Sequence, residues 1–478
     1  MLKLELQKIL DQFIAGANKD EVLWASGYLS GVAHGGAIAS GASVDTSGLV
    51  DKLTIIYVTE TGNSKFIAGE LNKVLKEKSV NVKLKASNQY RYADLEKEKN
   101  VIFIISTHGD GEMPETGKEF WKFIQNDAPK LSGLNYFIIA LGDTNYPLFC
   151  QAGKDLDKKL HELEAKNKGH VIELDLDFEN HLEDVKNKIF EAFGASVTPA
   201  HTASGKVVNK SNYEGEIITN VVLNDIGSVK ETHHIEIAVN DEISYEPGDS
   251  IGILLTDENG NKISPRLYSI ASSVNESENE VHLTVSVLKY KDENGVEKKG
   301  VVSNYLADLK LGSKIHFYVS KNRQFKLPQA NKDIIMVGPG TGIAPFRAFM
   351  AQRNFDNATG KNWLFFGECN FLKDFFYQTE WQDHLTSGLL TKLSVAFSRD
   401  QQDKIYVQHR IKEQGKELFE WLENGAYFYV CGDKAKMAKD VENALLELIA
   451  QQGNKNATQA KEYLENLTEQ GRYLLDVY

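Results

Sequence analysis

The sequence predicts a multidomain α/β and β chain, in which a doubly wound parallel sheet is followed by an antiparallel β-barrel and a second α/β unit. Apolar runs alternate with helical patterns over residues 51–195, and this alternation returns from residue 333. The intervening residues 213–330 show short alternating strands separated by turn signals such as "ENGN" and "DENG". A length of 478 residues suits about three such domains.

Composition narrows the class of protein. Apolar residues make up 42% of the chain and charged residues 25%, as is typical of globular proteins. The net charge of −13 argues against a nucleic-acid partner and suits a partner with a basic face. Cys150, Cys369 and Cys431 are spaced like neither a disulfide framework nor a metal site. Asp11 interrupts the short N-terminal apolar run, and no run approaches the roughly 18 residues of a membrane span. We therefore expect a cytoplasmic protein without a metal ion.

The order of patterns divides the chain into five segments. Leu6, Leu10 and Phe13 share a helical face before the small-residue stretch "GGAIASGASVDTSG". The predicted segments are an N-terminal helical segment with a linker at 1–50, the first parallel sheet at 51–193, a second linker at 194–212, the barrel at 213–330 and the last α/β unit at 331–478.

Three loops follow the predicted strands "LTIIYV", "VIFII" and "YFIIAL", and we expect them to meet at one sheet edge. The first loop offers hydroxyl groups and backbone N–H groups at a helix start without a P-loop lysine, which suits a phosphate monoester. Glycines in the other two let backbone amides reach a flat heterocycle, on which Tyr146 can stack. Taken alone, the first loop is equally well explained as a capped helix. The predicted binding residues are Thr59, Glu60, Thr61, Gly62, Asn63, Ser64, Thr107, His108, Gly109, Gly142, Asp143, Asn145 and Tyr146.

Two motifs in the barrel predict a second phosphate-containing ligand. In "SPRLYSIASS", Arg266 offers a fixed charge for a pyrophosphate, Tyr268 an aromatic surface and Ser269 a hydroxyl for a flavin nitrogen. The helix start "GVVS" can take the other part of the pyrophosphate. The predicted binding residues are Arg266, Leu267, Tyr268, Ser269, Gly300, Val301, Val302 and Ser303.

The loop "GPGTGIAP", which contains Gly340 and Thr341, follows a strand and is predicted to hold the pyrophosphate of a dinucleotide. Further on, "SRDQQDKIYVQ" combines two cations with hydroxyl groups that can enclose a ribose 2′-phosphate. Each charge-assisted hydrogen bond contributes roughly 1.5–3 kcal/mol, so NADPH is favoured over NADH. The alternative is a solvated charged loop. The predicted residues are Ser398, Arg399, Lys404, Tyr406 and Gln408.

The remaining candidates lie near the C-terminus. Cys431 ends a predicted buried strand, where a cysteine is most often a small buried side chain. It can instead line a path of hydride transfer, with Asp433 orienting its thiol. Asp476 and Tyr478 in the final "DVY" can reach back over a flavin. Such chemistry needs no general acid and base, because the cofactors carry it.

Taken together, "RLYSIASS", "GPGTGIAPFRAFM", "GKNWLFFG", "YVCGD" and the terminal "DVY" resemble the diflavin reductases over about nine-tenths of the chain. In that family a flavodoxin-like FMN domain is fused to a ferredoxin-reductase-like unit, which has an FAD-binding barrel and a Rossmann-like NADP-binding domain. The motifs look most like the flavoprotein component of bacterial NADPH-dependent sulfite reductase. The resemblance implies that the three residue sets bind FMN, FAD and NADPH, with Tyr478 over the FAD ring. It also implies that Ser269, Cys431, Asp433 and Asp476 assist hydride transfer.

The resemblance further implies an electron path from NADPH through FAD and FMN to a hemoprotein with sirohaem and an iron–sulfur cluster, which reduces sulfite to sulfide for cysteine biosynthesis. Acidic residues near the FMN loops, Asp110, Glu112 and Glu115, are candidates for steering that partner. Residues 1–33 would gather subunits into a homo-oligomer. Two rivals remain: a general diflavin reductase for another haem protein, and an oligomerising scaffold without turnover.

One departure from the family is large. Diflavin reductases carry a helical connecting segment of about a hundred residues in the barrel, whereas here only "LLTDENGNKISP" precedes Arg266. This stretch predicts a tight hairpin. Because the segment positions the FMN domain over FAD, its absence predicts a loosely held FMN domain governed by the linker at 194–206.

Overall fold

A computed structural model describes residues 44–45, 48–109, 111–197, 212–291 and 295–478. The helices predicted within residues 1–33, most of the two linkers, and Asp110 lie outside these described residues. The predicted fold class is confirmed, with two parallel sheets and an antiparallel barrel between them.

The first sheet is parallel and has the strand order β3-β2-β4-β5, with the short strands β6 and β7 both paired to β5. A separate antiparallel pair, β1 and β8, joins the two ends of this unit. Its elements are β1 (Val44–Asp45), β2 (Lys52–Val58), α1 (Asn63–Glu77), β3 (Asn81–Ala86), β4 (Asn100–Ser106), α2 (Lys118–Asn126), β5 (Asn135–Leu141), α3 (Gln151–Glu162), β6 (Lys166–Asn167), β7 (Ile172–Leu174), α4 (Leu182–Ala192) and β8 (Ser196–Val197).

Helices cover both faces of this sheet, which explains why its strands read as continuous apolar runs. Neighbouring residues of β2 point to opposite faces: Ile55 packs in one buried cluster with Ile67 of α1, and Ile56 packs in another with Phe120 of α2. All four side chains are fully buried. Each such burial contributes about 1.5–3 kcal/mol, so the two clusters hold the carboxyl edge of the sheet in place.

The middle unit is a six-stranded antiparallel sheet with the order β12-β11-β16-β9-β10-β13. An isolated bridge between Ile270 and Leu283 joins its two edges, so the sheet closes into the predicted barrel. The segment "EVHLTVSVLKY" is divided between two strands rather than forming one. The elements are β9 (Tyr213–Val222), β10 (Thr232–Val239), β11 (Ser250–Thr256), β12 (Lys262–Ser269), β13 (Glu280–Ser286), β14 (Lys289–Lys291), β15 (Glu297–Lys299), α5 (Val301–Asp308) and β16 (Lys314–Ser320).

The predicted tight hairpin is present between β11 and β12. Thr256 and Lys262 are the last paired residues, and Asp257 N–H donates to the carbonyl of Asn261 at 2.8 Å. The Asp257 carboxylate accepts the backbone N–H groups of Asn259 and Asn261 at 2.9 and 2.8 Å, while Gly260 takes the left-handed conformation that the turn requires. Strand β12 therefore begins immediately after the turn, and Arg266 lies within this barrel strand.

The last unit is a parallel sheet of five strands with the order β19-β18-β17-β20-β21. The final strand pairs with β20 in a register that sets Asp476 opposite Cys431. The elements are β17 (Ile334–Val337), α6 (Ala344–Phe355), β18 (Asn362–Glu368), α7 (Phe371–Asp374), α8 (Gln378–Ser387), β19 (Lys392–Phe397), α9 (Val407–Glu413), α10 (Gly415–Glu423), β20 (Tyr427–Gly432), α11 (Met437–Gln452), α12 (Ala457–Glu469) and β21 (Tyr473–Val477).

The first sheet unit is docked onto the other two. The Tyr318 hydroxyl on β16 donates to Asp143 at 2.5 Å, and the Tyr146 hydroxyl donates to the Pro265 carbonyl at 3.1 Å. Lys434, after β20, forms an ion pair with Glu60 at 2.8 Å. The expectation of a loosely held first domain is wrong for this arrangement, because direct polar contacts replace the missing connecting segment.

A second set of contacts surrounds Arg323, which follows β16. Its backbone N–H donates to the carbonyl of Thr61 at 2.8 Å, and its guanidinium pairs with Glu179. The guanidinium also lies 4.2 Å from the centre of the Phe66 ring. The loop between β2 and α1 is therefore held directly against the barrel.

The glycine-rich loop before α6 packs directly on the end of β20. A Cβ atom on Gly342 would lie 2.1 Å from the carbonyl oxygen of Cys431, which is closer than any real contact. Only glycine permits this approach of two backbones.

We predict that Gly342→Ala destabilises the last sheet unit by about 1–3 kcal/mol, the usual cost of overpacking, because two backbones must separate. Thermal unfolding followed by circular dichroism measures the change as a lower melting temperature. Gly415→Ala is the matched control, since its Cβ would meet only the Leu448 side chain at an ordinary 3.4 Å. Equal melting temperatures for the two variants would contradict the prediction.

Candidate functional site

A cleft of about 1000 Å³ opens between the carboxyl edge of the first sheet and the barrel. Loops after β2, β4 and β5 line one side of it, while β12, β13 and the start of α5 line the other. Thr341 and the C-terminal Tyr478 close one end. Two of the three predicted binding sets thus face the same cavity.

The first loop is folded by its own hydroxyl groups. Gly62 N–H donates to the Thr59 side chain at 2.9 Å, and Gly62 adopts a left-handed conformation just before α1. The Ser64 and Ser106 hydroxyls share a hydrogen bond of 2.7 Å, which ties this loop to the end of β4. Thr59, Gly62 and Ser64 therefore shape the loop, while Glu60, Thr61 and Asn63 line the cleft.

Apart from Glu60 Oε2, which pairs with His108 at 2.9 Å, two buried polar atoms at the cleft have no hydrogen-bond partner within the described part of the chain. They are the Thr107 hydroxyl oxygen and the Asn63 side-chain oxygen. A buried polar group without a partner costs about 1–3 kcal/mol, so both positions favour a polar ligand. They lie beside the positive end of the α1 helix dipole, and the set fits a phosphate group.

A cluster of charges joins this loop to the last unit. Glu60 lies 2.9 Å from Nδ1 of His108 and 2.8 Å from Nζ of Lys434. Burial raises the pKa of Glu60, but its hydrogen bonds to His108 and Lys434 outweigh burial and lower the pKa to about 2. The hydrogen bond that His108 donates to the Glu60 carboxylate in turn raises the pKa of His108. His108 and Gly109 also line the cleft.

The third loop serves both the cleft and the docking contact. Gly142, Asp143 and Tyr146 line the cleft. Burial raises the pKa of Asp143, whose carboxylate accepts the Tyr318 hydroxyl. Asn145 lies outside the cleft lining and donates to Asp143 through its backbone and its side chain, both at 2.9 Å. Asn145 therefore shapes the loop.

On the barrel side, all eight predicted residues line the cleft. Burial raises the pKa of Tyr268 to about 12, so its hydroxyl stays protonated. The Ser303 hydroxyl donates to the Gly300 carbonyl at 3.3 Å and accepts the Leu288 N–H at 3.2 Å. Arg266 and the backbone N–H groups at the start of α5 thus face one cavity from two elements, which fits a pyrophosphate.

Next to the cleft, Asp476 joins Ser269 and Cys431; Cys431 is fully buried and the other two are half-buried. The Ser269 hydroxyl donates to Asp476 at 2.8 Å, and the Cys431 thiol lies 3.7 Å from the same carboxylate oxygen. Burial raises the pKa of Asp476 and raises that of Cys431 well above its usual value. The thiol is therefore protonated at neutral pH and is a weak nucleophile.

The expectation that Asp433 orients the thiol is wrong. The Asp433 carboxylate instead accepts the backbone N–H groups of Lys436 and Met437 at 2.7 and 3.1 Å, so it caps the start of α11. The residue beside the thiol is Asp476, which the parallel pairing of β20 and β21 brings there. Tyr478 hydrogen-bonds Thr341 at 2.8 Å at the end of the cleft.

The predicted 2′-phosphate residues form a separate group outside the cleft lining. Ser398 and Arg399 follow β19, while Lys404 and Tyr406 precede α9 and are exposed with Arg399. Gln408, in the first turn of α9, donates to Asp440 at 3.2 Å, so its side chain supports a helix contact. Gly340 lies nearer to the cleft in the loop that contains Thr341.

Sequence reasoning missed several cleft residues. Tyr318 lines the cleft from β16, which is remote in sequence from the predicted loops, and no local pattern marks it. Lys434, which lies outside the cleft lining and pairs with Glu60, was missed for the same reason. Thr284 and Ser286 also line the cleft, and here a signal existed. Residues two apart on a strand share a face, and these two precede Leu288, which lines the cleft as well.

Searching the described residues for a helix with the length and apolar character of a bilayer span finds none.

Family models match three parts of the chain in order. They are Flavodoxin at residues 55–189, FAD binding domain at residues 258–305 and Oxidoreductase NAD-binding domain at residues 336–443.

Three curated relatives match nearly the whole chain, and each is a sulfite reductase (NADPH) flavoprotein alpha-component. The protein from Bacillus subtilis (strain 168) is 34% identical, with 99% of this chain and 98% of that protein covered. Those from Vibrio cholerae and Shewanella oneidensis are also 34% identical, with 98% of this chain and 95% and 97% of the relative covered. The Bacillus subtilis alignment runs over 594 positions whereas this chain has 478 residues, a difference of 116, so at least that many positions face a gap here.

We predict that Glu60→Gln lowers the pKa of His108, because the hydrogen bond and charge that raise it are lost. In the native chain the contribution of His108 to this pair is complete below its unfolded pKa and is lost as pH rises through its raised folded pKa. The contribution of Glu60 is present above its unfolded pKa and is lost only as pH falls through about 2. NMR titration of the His108 ring measures the shift.

The control for this titration is Glu115→Gln. The Glu115 carboxylate pairs with Lys118 at 2.7 Å and lies near the same loop, but it does not contact His108. The titration of His108 should match the native curve in that variant. An unchanged His108 pKa in Glu60→Gln would show that the pair does not form in solution.

Proposed function

The chain belongs to the family of sulfite reductase (NADPH) flavoprotein alpha-components, and from this premise we propose that it is an NADPH-dependent diflavin reductase that serves a sulfite reductase hemoprotein. It is an oxidoreductase that uses NADPH, FAD and FMN. The observation that carries the proposal is the shared cleft, because it brings the loops of the flavodoxin region and the FAD-binding region face to face.

The residues of the first sheet fit FMN. Thr107 and Asn63 offer the buried polar atoms without partners, and the start of α1 supplies N–H groups for the phosphate. Tyr146 lines the cleft and is fixed through its hydroxyl, so its ring has a defined place for stacking. Glu60 stays ionised and repels an anion, which limits the phosphate to the side of the loop with the hydroxyl groups.

The barrel residues fit FAD. Arg266 and the start of α5 take the pyrophosphate, and Tyr268 offers an aromatic face. When bound, the two flavins accept a two-electron hydride from NADPH and pass electrons on singly. The residues of the chain itself would bind and orient these cofactors. Ser269, held by Asp476, presents its oxygen at the cleft, and Tyr478 covers the end where Thr341 lies.

The separation of the 2′-phosphate residues from the cleft supports a role in choosing NADPH. Arg399 and Lys404 are exposed, and neither lines the cleft. Gly340 and Thr341 would take the pyrophosphate between this group and the cleft. Tyr478 would then meet the nicotinamide end of the coenzyme, and the residues before α9 would meet its adenosine end.

The electron acceptor is proposed to be a hemoprotein subunit of sulfite reductase, with sulfite reduced to sulfide in the cytoplasm for cysteine biosynthesis. Glu112 and Glu115 are exposed near the FMN loops and support a basic partner surface, although Glu115 already pairs with Lys118. Assembly through residues 1–33 into a homo-oligomer belongs to the same proposal.

A second function is favoured by one observation, which is the gap of at least 116 positions relative to the Bacillus subtilis protein. A chain that docks its FMN region without the connecting segment suits a general diflavin reductase for another haem protein. The acceptor decides between the two.

Two variants test the assignment of the flavin sites. We predict that Thr107→Val reduces bound FMN and leaves FAD in place, whereas Arg266→Gln reduces FAD and leaves FMN. Loss of one charge-assisted hydrogen bond, about 1.5–3 kcal/mol, weakens binding by roughly 10–150-fold. Chromatography of flavins released from each purified chain measures both. Equal loss of both flavins in either variant would contradict separate sites.

Reconstitution tests the partner. We predict that NADPH oxidation by the full chain accelerates with sulfite only when the sulfite reductase hemoprotein is present, and that sulfide accumulates. Cytochrome c serves as the control acceptor, because it reports electron delivery without sulfite chemistry. Reduction of cytochrome c together with no sulfite-dependent oxidation would favour the general reductase. A colourless protein that reduces neither would favour a scaffold.

A further inference from the structure

A row of four polar side chains leads from the cleft through the protein to a partly exposed carboxylate. Thr284 on β13 lines the cleft, Tyr377 precedes α8, and His234 and Glu236 lie on β10. The first three are 4%, 9% and 7% exposed, whereas the Glu236 side chain is 26% exposed. The row therefore begins at the cleft, crosses the buried contact between barrel and last sheet, and ends at solvent.

The hydrogen bonds along this row are continuous. The Thr284 and Tyr377 hydroxyls lie 2.7 Å apart, the Tyr377 hydroxyl lies 3.1 Å from Nδ1 of His234, and Nε2 of His234 lies 3.0 Å from Glu236. One assignment of hydrogens satisfies all three bonds. Thr284 donates to Tyr377, Tyr377 donates to Nδ1, and Nε2–H donates to the carboxylate, so every donor points from the cleft towards solvent.

The groups around His234 favour its neutral form. Burial lowers the pKa of His234, and the charges of Arg347 and His282 lower it further. The hydrogen bond that His234 donates to Glu236 raises the pKa but does not outweigh these effects. Burial raises the pKa of Glu236, but hydrogen bonds from Thr219 and His234 outweigh burial and lower it. His234 can therefore pass a proton between its two nitrogens, and Glu236 releases one readily to water.

The remaining charges that face the row are paired elsewhere. Arg347, from α6, donates to Glu380 at 2.7 Å and to Nδ1 of His282 at 3.0 Å, while Nε2 of His282 lies 3.1 Å from Glu280. The two imidazoles and Glu236 lie close enough together to hold a cation. The Arg347 guanidinium donates to Nδ1 of His282, so this nitrogen is not available to such a cation.

The backbone of Tyr377 adopts an unfavourable conformation, which its side-chain contacts stabilise. Its φ of 57° lies in the left-handed region, which is rare for a bulky residue, and such strain costs about 1–3 kcal/mol. The ring packs edge-on to His234 at 5.5 Å and lies 5.1 Å from the Arg347 guanidinium. The structure thus holds this hydroxyl in place between Thr284 and His234.

We propose that Thr284, Tyr377, His234 and Glu236 form a proton path from the flavin cleft to solvent, an inference that rests on the proposed function. Each NADPH oxidised supplies two electrons and leaves one proton, whereas the acceptor takes electrons. One proton must therefore leave the cleft in each turnover. A path through the barrel wall offers a direct exit from Thr284 at the cleft to the partly exposed Glu236.

The transfer balances without a change in electrons. Thr284 accepts a proton from the cleft and gives its own to the Tyr377 oxygen. Tyr377 gives its proton to Nδ1 of His234, and Nε2 gives its proton to Glu236, which releases it to water. One proton enters the row and one leaves it in each transfer, so the number of protons on the four side chains does not change.

The test follows protons and flavin colour together. The full chain, reduced anaerobically with one equivalent of NADPH, is mixed with ferricyanide in weak buffer with a pH-indicator dye. In the native chain the proton should appear with flavin reoxidation. In Tyr377→Phe and in Thr284→Val it should lag by about a hundredfold, the lower end of what a positioned proton-transfer group contributes. Tyr473→Phe is the control, because within the described residues its hydroxyl has no hydrogen-bond partner.

A measurement without turnover accompanies this test. Nitrogen-15 NMR of histidine-labelled chain, with His234 assigned through His234→Asn, should show the Nε2–H form in the native chain and a mixture of tautomers in Tyr377→Phe. Proton release without a lag in both Tyr377→Phe and Thr284→Val would overturn the path. A native chain that NADPH does not reduce would instead overturn the proposed function and the path with it.

Discussion

The docking of the first sheet unit against the barrel is the constraint on which the site depends. Two hydrogen bonds and an ion pair cross the contact. Tyr318 bonds Asp143, Tyr146 bonds the Pro265 carbonyl, and Lys434 pairs with Glu60. Tyr318 is buried and Asp143 is half-buried there, so separating the units would deprive Tyr318 of its acceptor and Asp143 of one of its donors until water entered. The cleft exists only while these contacts hold.

The short β11–β12 hairpin makes the close approach possible. The Asp257 carboxylate closes the turn, and β12 then carries Pro265 and Arg266 directly to the cleft. The Bacillus subtilis relative aligns with at least 116 positions that this chain lacks, and this chain holds its first sheet unit by side-chain contacts instead. The loop between β2 and α1, which is proposed to hold the FMN phosphate, also forms the charged contact with Lys434 through Glu60, so the proposed site and the domain contact share residues.

The surroundings of the cleft divide into two electrostatic regions. Near the first sheet, Glu60 is kept ionised by His108 and Lys434. Behind the barrel, burial raises the pKa values of Asp476 and Cys431, which favours protonated groups. Charged pairs thus lie at the domain contact, while burial near Ser269 disfavours the charged forms of Asp476 and Cys431. This distribution suits electron transfer, in which the protein orients cofactors and limits uncontrolled proton exchange.

The sequence by itself determined the three units, the hairpin and the loops that face the cleft, because period, turn residues and strand ends are local properties. All eight barrel residues that the sequence indicated line the cleft, although others that line it, such as Thr284 and Tyr318, were not indicated. Only the tertiary structure decided which side chains meet across units. The partner of Cys431 is Asp476 rather than Asp433 because β21 pairs in parallel with β20, and a hydrogen bond between residues 45 positions apart leaves no local pattern. The docked position of the first unit could not be predicted for the same reason. It depends on pairs such as Tyr318 with Asp143, which are 175 positions apart and so leave no local pattern in the sequence.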